Sequence, residues 1–194
     1  MRQIHITLRL ALARLRGFAE DNRAAVAAEA VIVLPFVLWA YLATFQYYDA
    51  FGTITRNLRA SYTIADLISR ETNTVTPSYI QGLNSLYGYL NRNPPGVWTR
   101  VTEVGWQPPQ GNNPGRYYVS WSYATNANPA LTNTTLQSFV PKLPTIVSGD
   151  TLLMVETHMQ YTPLVNFVGM TKSTFKQLVI TRPRISPQIV FSAS

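Results

Sequence analysis

The longest apolar stretch of the chain lies near its N-terminus. Residues 30–48 form 19 consecutive positions without a charged side chain. About 20 helical residues, each rising about 1.5 Å, cross the roughly 30 Å hydrocarbon core of a bilayer. Aromatic residues close the stretch, as they do at membrane interfaces; they are Tyr47, Tyr48 and Phe51. The pattern predicts a membrane-spanning helix over residues 25–51.

Three other interpretations of this stretch fit less well. A secretory signal has a shorter apolar core, of about 7–15 residues, and a small-residue cleavage site after it; here Tyr-Tyr-Asp-Ala-Phe follows. A mitochondrial transit peptide is amphipathic and rich in Arg, as residues 1–18 are, but Glu20, Asp21 and the apolar stretch come directly afterwards. A buried core helix is seldom this long and this uniformly apolar. A membrane span is therefore favoured.

The helical pattern continues beyond the apolar stretch. Large apolar residues recur there at steps of three and four, with Arg56, Arg59, Asp66 and Arg70 off the stripe. The stripe consists of Phe51, Ile54, Leu58, Tyr62, Ala65 and Ile68. We therefore expect one long helix over residues 25–71, whose outer half is amphipathic and packs its apolar stripe on a small domain.

The remaining sequence predicts a second helix and several short strands. The helix covers 78–90, and period-two alternation predicts strands over 97–106, 117–123, 152–161, 175–180 and 185–191. In the third of these, Glu156, His158 and Gln160 alternate with apolar residues and are expected to form a polar outer face. The fold class predicted is α+β, a long transmembrane helix continuing into an amphipathic helix packed on a small antiparallel sheet, with residues 52–194 as one domain.

The distribution of charge along the chain predicts the orientation of the helix in the membrane. The chain has 16 Lys and Arg against 9 Asp and Glu, for a formal net charge of +7, and five of its arginines lie in residues 1–24. Because basic residues favour the cytoplasmic side of a span, the sequence predicts that residues 1–24 are a cytoplasmic leader and that residues 52–194 lie across the membrane. No dense basic patch with interleaved aromatic residues occurs elsewhere, so we expect no nucleic-acid partner.

Two residues of the span stand out. Pro35 lacks a backbone donor and is expected to kink the helix, which membrane helices tolerate. Glu29 is a carboxylate near the cytoplasmic end, where burial in lipid costs a few kcal/mol unless the group is paired. It either reaches the headgroups, is protonated, or pairs with a cation. One such cation is a new N-terminal amine made by cutting the chain just upstream.

Residues 21–30 (DNRAAVAAEA), with the apolar stretch behind them, resemble the TadE-like family, minor pilin-like components of the bacterial tight-adherence (Tad/Flp) pilus system. Glu29 matches the family's glutamate and Pro35 its early proline, whereas Ala24 replaces the usual Gly and Ala30 the usual Phe or Tyr. The resemblance implies a pilin-like fold and cleavage by a prepilin peptidase between Ala24 and Ala25, which would place Glu29 fifth in the mature chain.

No motif in the sequence carries catalytic or metal chemistry. The chain has no cysteine and two histidines, His5 and His158, and two potential ligands, Glu156 and His158, do not make a three-ligand metal site. No glycine-rich phosphate loop or nucleophile elbow is present. We therefore expect a non-enzymatic protein without cofactor or metal.

The resemblance implies a structural function. The expected protein is a minor pilin-like subunit or assembly component, anchored by one N-terminal helix in the bacterial inner membrane with its C-terminal domain in the periplasm, and able to enter a surface pilus. Its expected partners are the lipid bilayer, other pilin-like subunits, the Tad secretion machinery and a prepilin peptidase. The alternatives are a membrane-anchored extracytoplasmic enzyme or sensor, and an uncleaved envelope scaffold of the same family.

Overall fold

The computed structural model describes residues 22–112, 114–164 and 169–193, with the backbone alone for 22–25. The predicted leader therefore lies outside the described residues, apart from the backbone of 22–24. The described chain folds into helices and one antiparallel sheet, so the fold is α+β. Its elements are α1 (Asn22–Ser69), α2 (Pro77–Leu90), β1 (Trp98–Gln107), β2 (Arg116–Ala124), α3 (Asn133–Leu136), β3 (Thr151–Tyr161) and β4 (Ser173–Thr181).

Helix α1 is one continuous helix of 48 residues, as the sequence predicts, and it contains Pro35. At about 1.5 Å per residue it is roughly 70 Å long. An 18-residue window of this helix has a mean hydropathy of 2.1, and none of the window is buried inside the protein. The helix is therefore long and apolar enough to span a membrane. The second helix is also confirmed. It begins where the hydroxyl of Thr76 accepts a hydrogen bond from the Tyr79 amide, with Pro77 in the first turn.

The sheet has four strands in the order β2-β1-β3-β4, and every neighbouring pair is antiparallel. The four strands correspond to the first four predicted. The fifth, over 185–191, is wrong: within the described residues this segment contributes only an isolated bridge between Val75 and Phe191. At this bridge the Val75 amide donates to the Val190 carbonyl at 2.8 Å and the Ser192 amide donates to the Val75 carbonyl at 2.9 Å. The segment also packs Ile189 into the core of the domain.

Both faces of the sheet are covered, and this determines which residues are buried. On one face, α1 and α2 form a core with apolar residues of β1, β3 and β4, among them Ile64, Ile80, Tyr87, Val101 and Val155. On the other face the connection between β2 and β3 supplies Leu131, Leu136 and Ile146, which pack on Leu152 and Met154. Strand β3 is consequently buried over nearly its whole length.

This double covering corrects the expectation that Glu156 and His158 lie on an exposed polar face. Their exposed fractions are 6% and 8%, and Gln160 is only partly exposed. The alternation along β3 is real, but its polar face is covered by side chains of the neighbouring strand β1.

The structure also corrects the predicted contact face of α1. Ala65 and Ile68 are buried as expected, but the first four residues of the stripe, Phe51, Ile54, Leu58 and Tyr62, are exposed. The domain instead covers Thr53, Asn57, Ala60, Ser61 and Ile64. The reason is that the domain offers hydroxyl groups to this part of the helix, and these pair with polar side chains that hydrophobic periodicity ignores.

Candidate functional site

The outward face of α1 carries an exposed apolar stripe, which we define as Phe51, Ile54, Leu58 and Tyr62. Their exposed fractions are 65%, 36%, 39% and 58%. Exposed polar side chains adjoin the stripe: Thr55 lies next to it, four positions after Phe51, whereas Arg59 and Thr63 lie on the next side of the helix. Contiguous exposed apolar residues on a helix mark a surface for another helix, a protein partner or lipid.

Helical spacing connects this stripe to Glu29. Steps of three and four residues lead from Glu29 through Val33, Phe36, Ala40, Thr44 and Tyr47 to Phe51, and on to Tyr62. Such steps keep residues on one helix face. Glu29 is exposed, and none of the ion pairs within the described residues includes it. The carboxylate therefore shares a face with apolar residues that the domain does not cover.

The adjoining face of α1 is fixed to the domain by buried hydrogen bonds. Tyr87 in α2 donates its hydroxyl hydrogen to Asn57 Oδ1 at 2.5 Å. The hydroxyls of Ser61 and Thr157 lie 2.6 Å apart. Because Asn57, Ser61 and Thr157 are completely buried, losing either partner would leave a desolvated polar group without its hydrogen bond.

A third polar contact lies nearest the apolar half of α1. Gln46 Nε2 donates to the Tyr161 hydroxyl oxygen at 2.5 Å, and that hydroxyl donates to Asp49 Oδ2 at 3.1 Å. Burial and the neighbouring Asp49 carboxylate raise the pKa of Tyr161 to about 12, so Tyr161 stays a neutral donor. Tyr161 ends β3, and this contact fixes the end of the sheet against α1.

At the implied cleavage site the structure describes the backbone alone. The Ala24–Ala25 peptide bond lies inside α1, and the side chains of both residues are outside the described set. Pro35 lies within α1, and the helix is continuous through it. Pro35, Phe36 and Trp39 line a shallow apolar depression on the exposed surface of the helix.

On the far face of the sheet, the sequence-identified pair Glu156 and His158 joins a larger cluster. Arg100 donates to both carboxylate oxygens of Glu156, at 2.6 and 2.8 Å. The ring of Trp98 stacks on His158 with centroids 3.7 Å apart, and the Arg100 guanidinium lies 5.8 Å from the Trp98 ring. Burial lowers the pKa of His158 to about 4 although the Glu156 carboxylate opposes the shift. His158 is therefore a neutral packed ring at pH 7.

Glu103 is a structural carboxylate that sequence reasoning missed. It is 2% exposed, and its Oε1 accepts hydrogen bonds from the Ile189 amide at 2.7 Å and the Thr151 hydroxyl at 3.2 Å. Trp121 Nε1 donates to the Ile189 carbonyl at 2.8 Å. Burial raises the pKa of Glu103 despite these bonds. Val101 and Glu103 lie two residues apart in β1 and therefore share a face of the strand. This spacing could have indicated from the sequence that Glu103 is buried.

In the described part of the chain no group of three or more His, Asp or Glu side chains could hold a metal ion. Comparison with protein-family models, with curated proteins and with solved structures finds no match to this chain. The candidate functional site is therefore defined by geometry alone: the exposed apolar face of α1, with Glu29 near one end and the stripe from Phe51 to Tyr62 at the other.

Proposed function

We propose that this protein is a structural subunit of a bacterial type IV-like pilus, similar to the minor pilin-like components of the Tad/Flp system. Helix α1 holds the subunit in the inner membrane, with residues 1–24 in the cytoplasm and the domain of residues 52–194 in the periplasm. During assembly the apolar faces of α1 helices from neighbouring subunits pack together. The protein carries out no chemistry of its own.

The observation that carries this proposal is the length of the exposed apolar face of α1. It extends from Val26 to Tyr62, which is 37 residues and about 55 Å at about 1.5 Å per residue. A bilayer core covers about 30 Å of it. The stripe at its outer end therefore remains uncovered by lipid and by the subunit's own domain, and helices of other subunits would bury it.

Glu29 and its small neighbours support close packing of helices. Ala27, Ala28 and Ala30 flank Glu29, and small residues let membrane helices approach closely. A carboxylate there is costly unless paired. In the proposed assembly its partner is the N-terminal amine of a neighbouring subunit, created when a prepilin peptidase cuts between Ala24 and Ala25. Opposite charges attract strongly where water is excluded.

The first test is the mature N-terminus, measured by mass spectrometry of protein from cells with and without their prepilin peptidase. We expect a chain that starts at Ala25 only when the peptidase is present. A chain that retains residues 1–24 in both strains would contradict cleavage and favour the uncleaved scaffold.

The second test separates anchoring from assembly. Glu29→Ala should insert in the membrane at the wild-type level but abolish recovery of the protein in sheared surface fibres. Glu71→Ala is the control, because Glu71 is a partly exposed carboxylate just beyond the end of the same helix, and its Oε1 accepts hydrogen bonds from the adjoining Thr72 and Asn73. Normal piliation in the Glu29→Ala strain would contradict the pairing.

A further inference from the structure

The centre of the apolar half of α1 contains a hydrogen-bond donor that the subunit itself does not use. Trp39 is the central residue of the charge-free stretch 30–48, with nine residues on either side, and it is 51% exposed. Within the described part of the chain its indole nitrogen donates to no acceptor. Thr44 in the same stretch differs, because its hydroxyl donates to the Ala40 carbonyl at 2.8 Å. When lipid surrounds the helix, the Trp39 indole therefore requires an acceptor from another molecule.

The backbone carbonyl of Val31 is a matching acceptor. In a regular helix it accepts from the amide of residue 35, but residue 35 is proline and has no amide hydrogen. Val31 and Pro35 are both exposed. Membrane helices tolerate proline where a neighbouring helix, a side chain or a local distortion satisfies the freed backbone group. The Val31 carbonyl can therefore accept a hydrogen bond from another helix.

The donor and the acceptor lie at the same apolar depression of α1. Its lining residues are Pro35, Phe36 and Trp39. Pro35 and Trp39 are four residues apart and share a helix face, and the Val31 carbonyl points along the axis toward the Pro35 ring. Phe36 also belongs to the apolar face that leads from Glu29 to the stripe. The depression is therefore continuous with the surface that the proposed assembly buries.

A single helix cannot join these two groups, whereas two parallel helices can. Val31 and Trp39 are eight residues apart, which is about 12 Å along the axis at about 1.5 Å per residue. Helical side chains tilt toward the N-terminus and carbonyls point toward the C-terminus, and together these directions close about half of that distance. The rest is closed when a second helix is displaced by about four residues, or about 6 Å, toward its C-terminal end.

We propose that this depression is a contact between two copies of α1, in which the Trp39 indole of one copy donates to the Val31 carbonyl of the next. The occupant is a second copy because both groups belong to this chain, and copies anchored in one bilayer have parallel helices. The same displacement brings Ala25 of the second copy beside Glu29 of the first. This inference rests on the proposed function and specifies the register of the helices.

The test measures self-association of the full chain in phosphatidylcholine vesicles by energy transfer. The chain has no native cysteine, so Val147→Cys, a 71% exposed position on the domain, carries the donor or the acceptor fluorophore. Trp39→Phe keeps an aromatic ring and removes the N–H. Pro35→Ala restores an amide for the Val31 carbonyl. Tyr41→Phe is the matched control, because Tyr41 is 68% exposed and loses a hydroxyl donor in the same stretch but lies outside the depression.

We expect Trp39→Phe and Pro35→Ala each to weaken association by about three- to tenfold, the range typical of one hydrogen bond between membrane helices. Tyr41→Phe should leave association unchanged. The decisive measurement is Trp39→Phe in the Pro35→Ala background. It should cause no further loss, because the helix then satisfies the Val31 carbonyl itself and the indole has no acceptor to lose.

Two results would overturn this inference and leave the proposed anchor and assembly intact. One is association that Trp39→Phe does not weaken, or weakens equally in both backgrounds. The other is a loss for Tyr41→Phe as large as that for Trp39→Phe. A wild-type chain that inserts, as shown by protease protection of one end, but does not associate would overturn both this inference and the proposed packing of helices. A chain that does not insert would overturn the membrane anchor as well.

Discussion

The two halves of helix α1 differ in what covers them and in which side chains they bury. From Val26 to Tyr41 every side chain is exposed and most are apolar. From Gln46 to Ser69 one face is buried on the domain, yet that face includes Gln46, Asn57 and Ser61, while Phe51 and Tyr62 point outward. The contact face of the second half thus combines these polar residues with the buried Ile64 and Ile68, while Phe51 and Tyr62 remain outside. In the proposed assembly, the exposed face with Phe51 and Tyr62 packs against a helix of another subunit.

The largest expected effect on stability distinguishes a buried residue from an exposed residue in the second half of α1. Ile64 is 0% exposed and Leu58 is 39% exposed. Ile64→Ala should lower the free energy of unfolding of the domain by about 2–5 kcal/mol because it leaves a cavity in the core. Leu58→Ala should cost less than about 1 kcal/mol. Thermal unfolding of the detergent-solubilised full chain measures both, and equal losses would contradict the assignment of faces.

Acid should weaken the domain without affecting the exposed half of α1. The pKa of His158 falls from 6.5 to about 4 on folding, so the unfolded chain binds a proton that the folded chain excludes. The stabilisation is complete above about pH 6.5 and is lost as the pH falls toward 4, with about 2 kcal/mol lost between pH 7 and 5.

The comparison that isolates this effect is His158→Phe, which keeps an aromatic ring against Trp98. Glu103, with a raised pKa, contributes the opposite slope in both proteins and cancels in the difference. Wild type should lose more stability than His158→Phe between pH 7 and 5, measured from denaturant unfolding in detergent. Parallel pH profiles would show that His158 titrates normally.

A smaller effect should come from the hydrogen bonds on the contact face. Tyr87→Phe removes the donor to Asn57 Oδ1 and should cost about 1–3 kcal/mol, because the acceptor stays buried. Tyr62→Phe makes the same chemical change on the outward face, where the ring is 58% exposed, and should change the melting temperature by little. A loss at Tyr62 as large as that at Tyr87 would show that the outward face also packs within the subunit.

The sequence predicted the positions of the helices and strands more accurately than it predicted which of their faces are buried. Length and absence of charge identified α1, and period-two alternation identified the four strands that pair. The predicted contact face of α1 was right at Ala65 and Ile68 and wrong at the four residues from Phe51 to Tyr62. Hydrophobic periodicity gives no weight to Asn57 and Ser61, whose burial depends on hydroxyls from Tyr87 and Thr157, 30 and 96 residues away in sequence.

The burial of the far face of the sheet was missed for a related reason. Alternation along β3 shows that Glu156 and His158 share a face, but not that Trp98 and Arg100 of another strand cover it. The strand predicted over 185–191 is absent because Pro187 has no amide to donate to a ladder, and the Ile189 amide donates to the Glu103 side chain instead of to a strand partner. Such contacts depend on tertiary structure.

The most direct test of the proposed assembly surface is site-specific photo-crosslinking along α1 in native membranes of the cells that produce this protein. A photoreactive amino acid is placed in the full chain at each stripe residue, Phe51, Ile54, Leu58 and Tyr62, and at the exposed polar positions Arg59 and Thr63, which helical spacing turns away from the stripe. The proposed assembly predicts strong adducts with a second copy or another pilin-like subunit at the four stripe positions and markedly fewer at the two polar positions. Equal adduct formation on both sets, or none on either, would contradict it.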